Sequence, residues 1–404
     1  MVQLSSGERA GQQTGVGGPC SGAFQGSAGL AFRIKSGEAA AARIAILGTR
    51  GIPARYGGFE TFAEELSTRL AARGHEVTVY CRQRHPEAMY RGVQLVDIGT
   101  WRHKYFETIV HTFLSTLHLI AHRPEVALYC NGANAIFTAL PRLAGVPTAL
   151  NVDGLERKRK KWNSLAKAWY AISEWLATFC PSVVVTDARS IAQYYLERYG
   201  KHTEFIPYGA ETGKLAADGV LWELGLEAGR YFLYVSRMEP ENNALAVREA
   251  FERVATPVKL ALVGDAPYAQ EYIRKVRDTR DPRVVLPGAI YGDGYRELLS
   301  NCLAYIHATE VGGTHPALIE AMGRGALVLY LNTPENAEVA GGAGFAFEDG
   351  QLEPKLVEVL GMSSEERSEW GRRASERVRE RYGWEAVTDQ YEKLLTSLLS
   401  GNRR

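Results

Sequence analysis

An apolar run, Arg43–Leu47, leads into GTRGIPARYGGFETFAEEL, where Gly48, Gly51, Gly57 and Gly58 stand before a helix expected from Phe59. Glycine permits close backbone approach, and amides at a helix N-terminus attract anions. This turn is therefore a candidate anion site, although turn formation and helix packing require the same glycines. Glu60 and Glu64, in the first two turns, complement the helix dipole. A nicotinamide-binding fold is the obvious rival. The spacing is not G-x-G-x-x-G, and the second run ends Val79-Tyr80-Cys81-Arg82 without the acid that would bind a ribose.

Three further segments carry polar groups at strand ends or helix starts. Gly312, Gly313 and Thr314 precede a helix with Pro316 in its first turn, so their amides point toward an anion or sugar hydroxyls. Asp153 follows the apolar run Val146–Val152, and Gly264-Asp265 follows Val258–Val263. Both should project from the carboxyl ends of strands, although Asp before Gly also forms turns. Finally Arg157, Lys158, Arg159, Lys160 and Lys161 precede a helix with apolar positions Trp162, Leu165, Trp169, Ile172, Leu176 and Phe179. Cations at a helix N-terminus oppose its dipole. An anionic phosphate, on lipid headgroups or a polyprenyl diphosphate carrier, would resolve the conflict, and a solvated run is the alternative. Trp101-Arg102-His103-Lys104-Tyr105 would extend the patch.

The elements that must position these groups follow from the apolar pattern. Short continuous runs alternate with amphipathic segments from Arg43 to Pro207, and the pattern restarts at Tyr231–Ser236. That predicts two doubly wound parallel sheets with a ligand cleft at their carboxyl ends. The expected division is a disordered Gly/Ser/Ala-rich extension over 1–42, domains over 43–212 and 213–383, and a crossover helix with tail over 384–404. Ala210–Gly229 reads as the hinge. The balance of 47 Lys plus Arg against 46 Asp plus Glu argues against a global polyanion binder. Five scattered cysteines (Cys20, Cys81, Cys130, Cys180, Cys302) form no C-x-x-C pair, which disfavours a disulfide scaffold or zinc module. No signal peptide or membrane-spanning run is expected.

The series ILGTRGIPARYGGFETFAEELSTRLAARGHEVTVYCR, NVDGLERKRKKW, IPYGAE, VSRMEPENN, VGDAP and VGGTHPALIEAMGRG, in that order, resembles bacterial glycosyltransferases of family 4 with the GT-B fold. The nearest likeness is to a rhamnosyltransferase-like branch that builds capsular and cell-wall polysaccharides. The resemblance implies a nucleotide-sugar donor in the C-terminal domain, with Arg237 neutralising the diphosphate. Asn242 stands where the family often has lysine, leaving more to Arg50, Arg55, Arg237 and backbone amides. Gly264, Asp265, Gly288 and Tyr291 would border the nucleotide, and Glu320 would bind the ribose. Gly312 replaces a common glutamate, with Glu310 nearby, His315 replaces asparagine, and Arg157 replaces a tryptophan.

Asp153 resembles the polar residue that contacts the transferring sugar or acceptor. The donor-side set is thus Gly57, Gly58, Arg237, Asn242, Gly264, Asp265, Gly288, Tyr291, Gly312, Gly313, Thr314 and Glu320. Asp153 and Arg237 are the catalytic candidates, and Arg157–Lys161 with Trp162 would meet acceptor or membrane. The reaction implied is transfer of L-rhamnose or another hexose from a nucleotide diphosphate to a sugar hydroxyl on a lipid-linked acceptor. It would be retaining, with no metal and no cofactor beyond the donor, on the cytoplasmic face of the membrane. A nucleotide-sugar-binding pseudoenzyme and an NAD(P)-dependent oxidoreductase are the alternatives.

Overall fold

The apolar runs become two sheets, each covered by helices on both faces, which is why the strands carry continuous rather than alternating apolar sequence. The computed structural model describes residues 41–54, 57–100, 107–159, 163–266 and 269–402. Most of the expected extension, Arg55, the 101–105 segment, and Lys160, Lys161 and Trp162 lie outside these residues, as does the side chain of Lys158.

The first sheet comprises β1 (Arg43–Leu47), β2 (Glu76–Cys81), β3 (Met89–Tyr90), β4 (Val93–Asp97), β5 (Val126–Cys130), β6 (Thr148–Asn151), β7 (Val183–Thr186) and β8 (Glu204–Phe205). Its order is β3-β4-β2-β1-β5-β6-β7-β8, and only the β3–β4 pair is antiparallel. With it lie α1 (Gly58–Ala72), α2 (Glu107–His122), α3 (Ala139–Leu143), α4 (Ser164–Ala177) and α5 (Arg189–Tyr199).

The second sheet comprises β9 (Tyr231–Val235), β10 (Lys259–Val263), β11 (Val284–Gly288), β12 (Ala304–His307), β13 (Val328–Leu331) and β14 (Phe345–Phe347), in the order β11-β10-β9-β12-β13-β14. Its helices are α6 (Val220–Glu223), α7 (Ala244–Glu252), α8 (Gln270–Arg277), α9 (Gly292–Asn301), α10 (Pro316–Gly323), α11 (Pro334–Ala340), α12 (Leu352–Gly361) and α13 (Ser364–Arg381), with α14 (Trp384–Asn402) closing the chain. The order in which successive strands are added reverses between β1 and β5 and again between β9 and β12, although both pairs are parallel. Each reversal opens a crevice at the carboxyl ends of the strands, where ligands of such sheets bind.

The chain passes between the sheets twice, side by side. The Ala210 N–H donates to the Tyr382 carbonyl at 2.8 Å, and Ala210 forms a parallel bridge with Gly383. Beyond this second crossing α14 covers α1. Phe62 meets Tyr391 edge-on with ring centroids 5.2 Å apart, and Tyr208 meets Trp384 at 5.4 Å. Asn151 on β6 donates its amide to the Tyr391 hydroxyl at 2.8 Å. Arg73 reaches Glu385, Asp389 and Glu392 on the rim of this contact. The apolar rings carry more of the attachment than these pairs, since Glu385 and Asp389 are largely exposed.

Candidate functional site

A cavity of about 720 Å³ opens between the carboxyl ends of the two sheets, with walls from both. The first domain contributes the glycine turn (Arg50, Gly57, Gly58), Arg82, Asp153, Arg159 and Asp187. The second contributes Arg237, Asn242, Gly264, Asp265, Tyr291, Gly312, Thr314, His315 and Glu320. Most of the expected site residues therefore converge. Gly288 and Gly313 are not in the wall, because Gly313 is turned toward Asp187 and Gly288 ends β11.

On the donor-side wall, Arg237 is about one-third exposed, and its nearest carboxylate, Glu239, is 3.9 Å away. That distance leaves the guanidinium fork poorly paired and directed by the loop rather than by a salt bridge. Asn242 lines the cavity, and its buried amide donates to the Arg237 carbonyl at 2.6 Å, so it also holds the arginine loop. Gly264, with φ of +144°, is required where it stands, since a Cβ there would lie 1.8 Å from the Ser236 carbonyl oxygen. Glu320 accepts the Tyr295 hydroxyl at 2.6 Å. Burial raises the Glu320 carboxyl above its usual range, with the Tyr295 hydrogen bond opposing. His315 is buried, and its Nδ1 meets the Asn336 Oδ1 at 2.6 Å. The Asn336 amide nitrogen donates to the carbonyls of Thr309 and Leu331, which fixes its oxygen as the acceptor and assigns a proton to His315 Nδ1.

The glycine turn is braced by acids rather than merely complemented by them. Glu60 is buried and accepts the Arg50 N–H at 3.0 Å, and burial raises its carboxyl. Glu64 accepts the Ala54 N–H at 2.6 Å and the Tyr90 hydroxyl at 2.9 Å. Both acids stand in the first turns of α1, as expected, and also bend back to pin the loop. Arg82, at the end of β2, donates to the Thr49 carbonyl at 3.1 Å and faces Glu107 at 3.6 Å. A cation thus occupies the position where a dinucleotide fold would present its ribose acid.

Asp153 has a partner that sequence reasoning missed. Asp187, at the end of β7, lines the same cavity wall, and each carboxyl's charge acts on the other. Asp187 Oδ1 meets no protein donor, and two adjoining buried carboxyls hold one proton more readily than two charges. Burial, then the Asp153 charge, pushes Asp187 well above the carboxylate range. Burial also raises Asp153, but Arg159 opposes it. The proton accordingly belongs mainly on Asp187, leaving Asp153 the more anionic. The available signal was position, since each residue follows the last residues of adjacent parallel strands, β6 and β7.

Two side chains of the basic run are among the described residues, and both pair with protein carboxylates. Arg157 donates to both carboxylate oxygens of Glu174 at 3.0 Å and to the Tyr194 hydroxyl at 2.6 Å. Arg159 is buried, pairs with Glu156 at 2.6 Å and lines the cavity. Burial works against its charge, yet Glu156 and Asp153 more than offset that and keep it firmly protonated. The conflict with the α4 dipole is thus eased by protein carboxylates for these two residues. The helix expected from the apolar spacing forms as α4, and Leu165, Ile172 and, just beyond it, Phe179 are exposed.

Residues 56–214 match the family model described as Glycosyltransferase Family 4, and residues 229–361 match Glycosyl transferases group 1. No protein of curated description matches the sequence. Among solved structures, the chain is similar to sucrose-phosphate synthase from Thermosynechococcus elongatus at 18% identity and TM-score 0.76, over 89% of this chain and 99% of that one. It is likewise similar to Anabaena HepE in complex with UDP and glucose at 16% identity and TM-score 0.73, over 88% and 100%. A glycosyltransferase from Rickettsia africae follows at 14% identity and TM-score 0.69, over 89% and 99%.

Proposed function

We propose a donor, an acceptor and a division of labour for this chain, which is a glycosyltransferase of family 4 type with the GT-B fold. The observation that carries the reading is that Arg237 and Glu320 of one sheet share a single cavity with Asp153 of the other. In this reading a nucleotide-diphosphate sugar lies along the second-domain wall. Glu320 accepts hydrogen bonds from the ribose, and the turn after β10 borders the nucleotide. Arg237 and the amides leading into α10 receive the diphosphate, stabilising charge as the glycosidic bond breaks.

The sugar then lies between Gly312–Thr314 and Asp153. Positive charge developing at its anomeric carbon is balanced by Asp153, kept anionic by Arg159 while Asp187 retains the proton. The acceptor hydroxyl attacks from the side of the departing phosphate, which takes the hydroxyl proton, giving retention without a protein base. Holding both substrates in one water-poor cleft supplies orientation and limits hydrolysis. L-Rhamnose from a thymidine diphosphate is the donor we favour, with a lipid-linked saccharide acceptor at a membrane face. HepE, which binds UDP and glucose, supports a nucleotide-sugar donor in this fold.

A melting-temperature screen of nucleotide sugars against NAD(P), followed by turnover of the stabilising donor with membrane extract, tests the reading. Stabilisation by a nucleotide sugar and a glycosylated lipid product are expected. Stabilisation by NAD(P) alone would overturn the transferase assignment, and binding without turnover across the panel would leave only a nucleotide-sugar binder.

A further inference from the structure

Two helices beside the cleft mouth bury polar groups and expose several large apolar ones, although Leu119 of α2 and Leu176 of α4 still pack on the core. On α2, His111, Thr112, Ser115 and Thr116 are fully buried while Phe113, Leu114 and Leu117 face outward. On α4, Ser173, Glu174 and Ala177 are buried, whereas Leu165 is 80% and Trp175 56% exposed. A helix on a water-soluble domain normally shows the opposite arrangement. Single exposed apolar residues are ordinary, but this pattern on two adjoining helices is not. The helices do adjoin. The 3-10 segment Gly132–Thr138 packs on both and leads into α3, where Leu143 is 86% exposed. Arg142 of α3 then donates to the Phe179 carbonyl just past α4 at 2.7 Å, which joins the pieces into one face.

Charge indicates what covers that face. From Val110 to Ala121, α2 carries no Asp, Glu, Lys or Arg. The acids of these elements are directed inward, Glu107 toward Arg82 and Glu174 toward Arg157. The charges left outward on α3 and α4 are Arg142 and Lys167, both basic. Apolar side chains with cations and no outward acid match a bilayer surface with anionic headgroups. We propose that the α2–α3–α4 face lies in the plane of such a bilayer. None of the described helices is long and apolar enough to cross it. The proposal rests on the transfer reading only for what arrives there. Thr108 of α2 and Tyr170 of α4 line the cavity, so a lipid-borne acceptor reaches Asp153 from this side.

Flotation of the full chain with phosphatidylcholine vesicles, with and without phosphatidylglycerol, tests the face. The expected result is binding that is stronger with phosphatidylglycerol and falls at least about tenfold in Leu117→Glu/Trp175→Glu. The melting temperature and the shift caused by a nucleotide sugar should be unchanged, because both positions are exposed and outside the cavity. Should the double variant melt lower, Leu165→Glu, at the most exposed position of α4, supplies the same comparison. Undiminished vesicle binding by the variants, or no preference for phosphatidylglycerol, overturns the proposal. So does a wild-type dimer in light scattering that the variants dissolve without any vesicle binding, since a second copy would then cover the face. Vesicle binding that persists when no nucleotide sugar shifts the melting point leaves this proposal standing while the donor reading fails.

Discussion

Asp187 accepts the backbone N–H of Thr314 through its Oδ2 at 2.9 Å, so a carboxyl of the first sheet fastens the sugar-side loop of the second. The Thr314 hydroxyl donates back to the Asp187 carbonyl. The residue that retains the proton beside Asp153 is therefore also a clasp between domains, and one substitution separates the two duties.

Asp187→Asn can keep the Thr314 contact through its oxygen and donate to Asp153 through its amide, imitating the protonated acid. Activity is expected to stay within a few-fold of wild type, whereas Asp187→Ala loses most of it. The stability profile changes in a defined direction. The folded state binds this proton more tightly than the unfolded chain, so the pair's contribution to stability is greatest at acid pH. It declines as pH rises through the pair's raised titration, by up to about 1.4 kcal/mol per pH unit. Melting curves between about pH 5 and pH 8 should show this slope flattened in Asp187→Asn. An unaltered slope would remove the shared proton from the account.

The Arg237 side chain is poorly paired, and Asn242 holds only its carbonyl, so Arg237→Ala should leave the melting temperature nearly unchanged while kcat falls about 100- to 1000-fold. Arg237→Lys recovers the charge but not the fork, and should recover only part of the rate. With an arginine at the diphosphate and no D-x-D in the sequence, activity is expected to survive EDTA. Loss on chelation, restored by Mg²⁺, would contradict this assignment.

Glu320→Gln weakens acceptance from ribose hydroxyls and should raise the donor KM roughly tenfold with a smaller effect on kcat. Tyr295→Phe removes the hydrogen bond that orients Glu320 and should move KM in the same direction, but less. Kinetics with a donor lacking the 3′-hydroxyl, the one a thymidine nucleotide retains, check the assignment, because the two variants should lose little further with it.

Gly154 has φ of +61°, and a Cβ there would stand 2.8 Å from the Gly312 carbonyl carbon. Gly154→Ala should force the two loops apart and strain the turn by about 1–3 kcal/mol. A drop in kcat that exceeds the loss of donor affinity, measured by calorimetry, is the expected signature. Unchanged kcat would mean that the loops need not touch during transfer.

Much of this architecture is legible in the sequence because buried parallel strands are continuous apolar runs. Val126–Cys130 and Lys259–Val263 lie within a residue of their expected ends. Met89–Tyr90 is too short to leave a pattern. The α4 periodicity was readable, but its direction was not, since a repeat of apolar residues does not reveal which side faces water. Asp153 stood out beside glycine after a long apolar run, whereas Asp187 sits in TDARS, which reads as an ordinary helix start. Its significance comes from strand adjacency, a property of the sheet rather than of the local segment. Asn242 illustrates the converse. Resemblance singled it out, and only the fold revealed that its amide points back to the Arg237 carbonyl.

The return of the chain at Gly383 to lay α14 on α1 has a consequence for biosynthesis. The first sheet is translated well before the helix that covers Phe62 and meets Asn151. Until those later residues emerge, the nascent N-terminal domain presents an apolar groove to whatever surrounds the ribosome. A late stop codon would leave every cavity residue except Trp384 encoded while removing that cover. Such alleles should therefore be lost through aggregation or degradation of the product rather than through damaged chemistry.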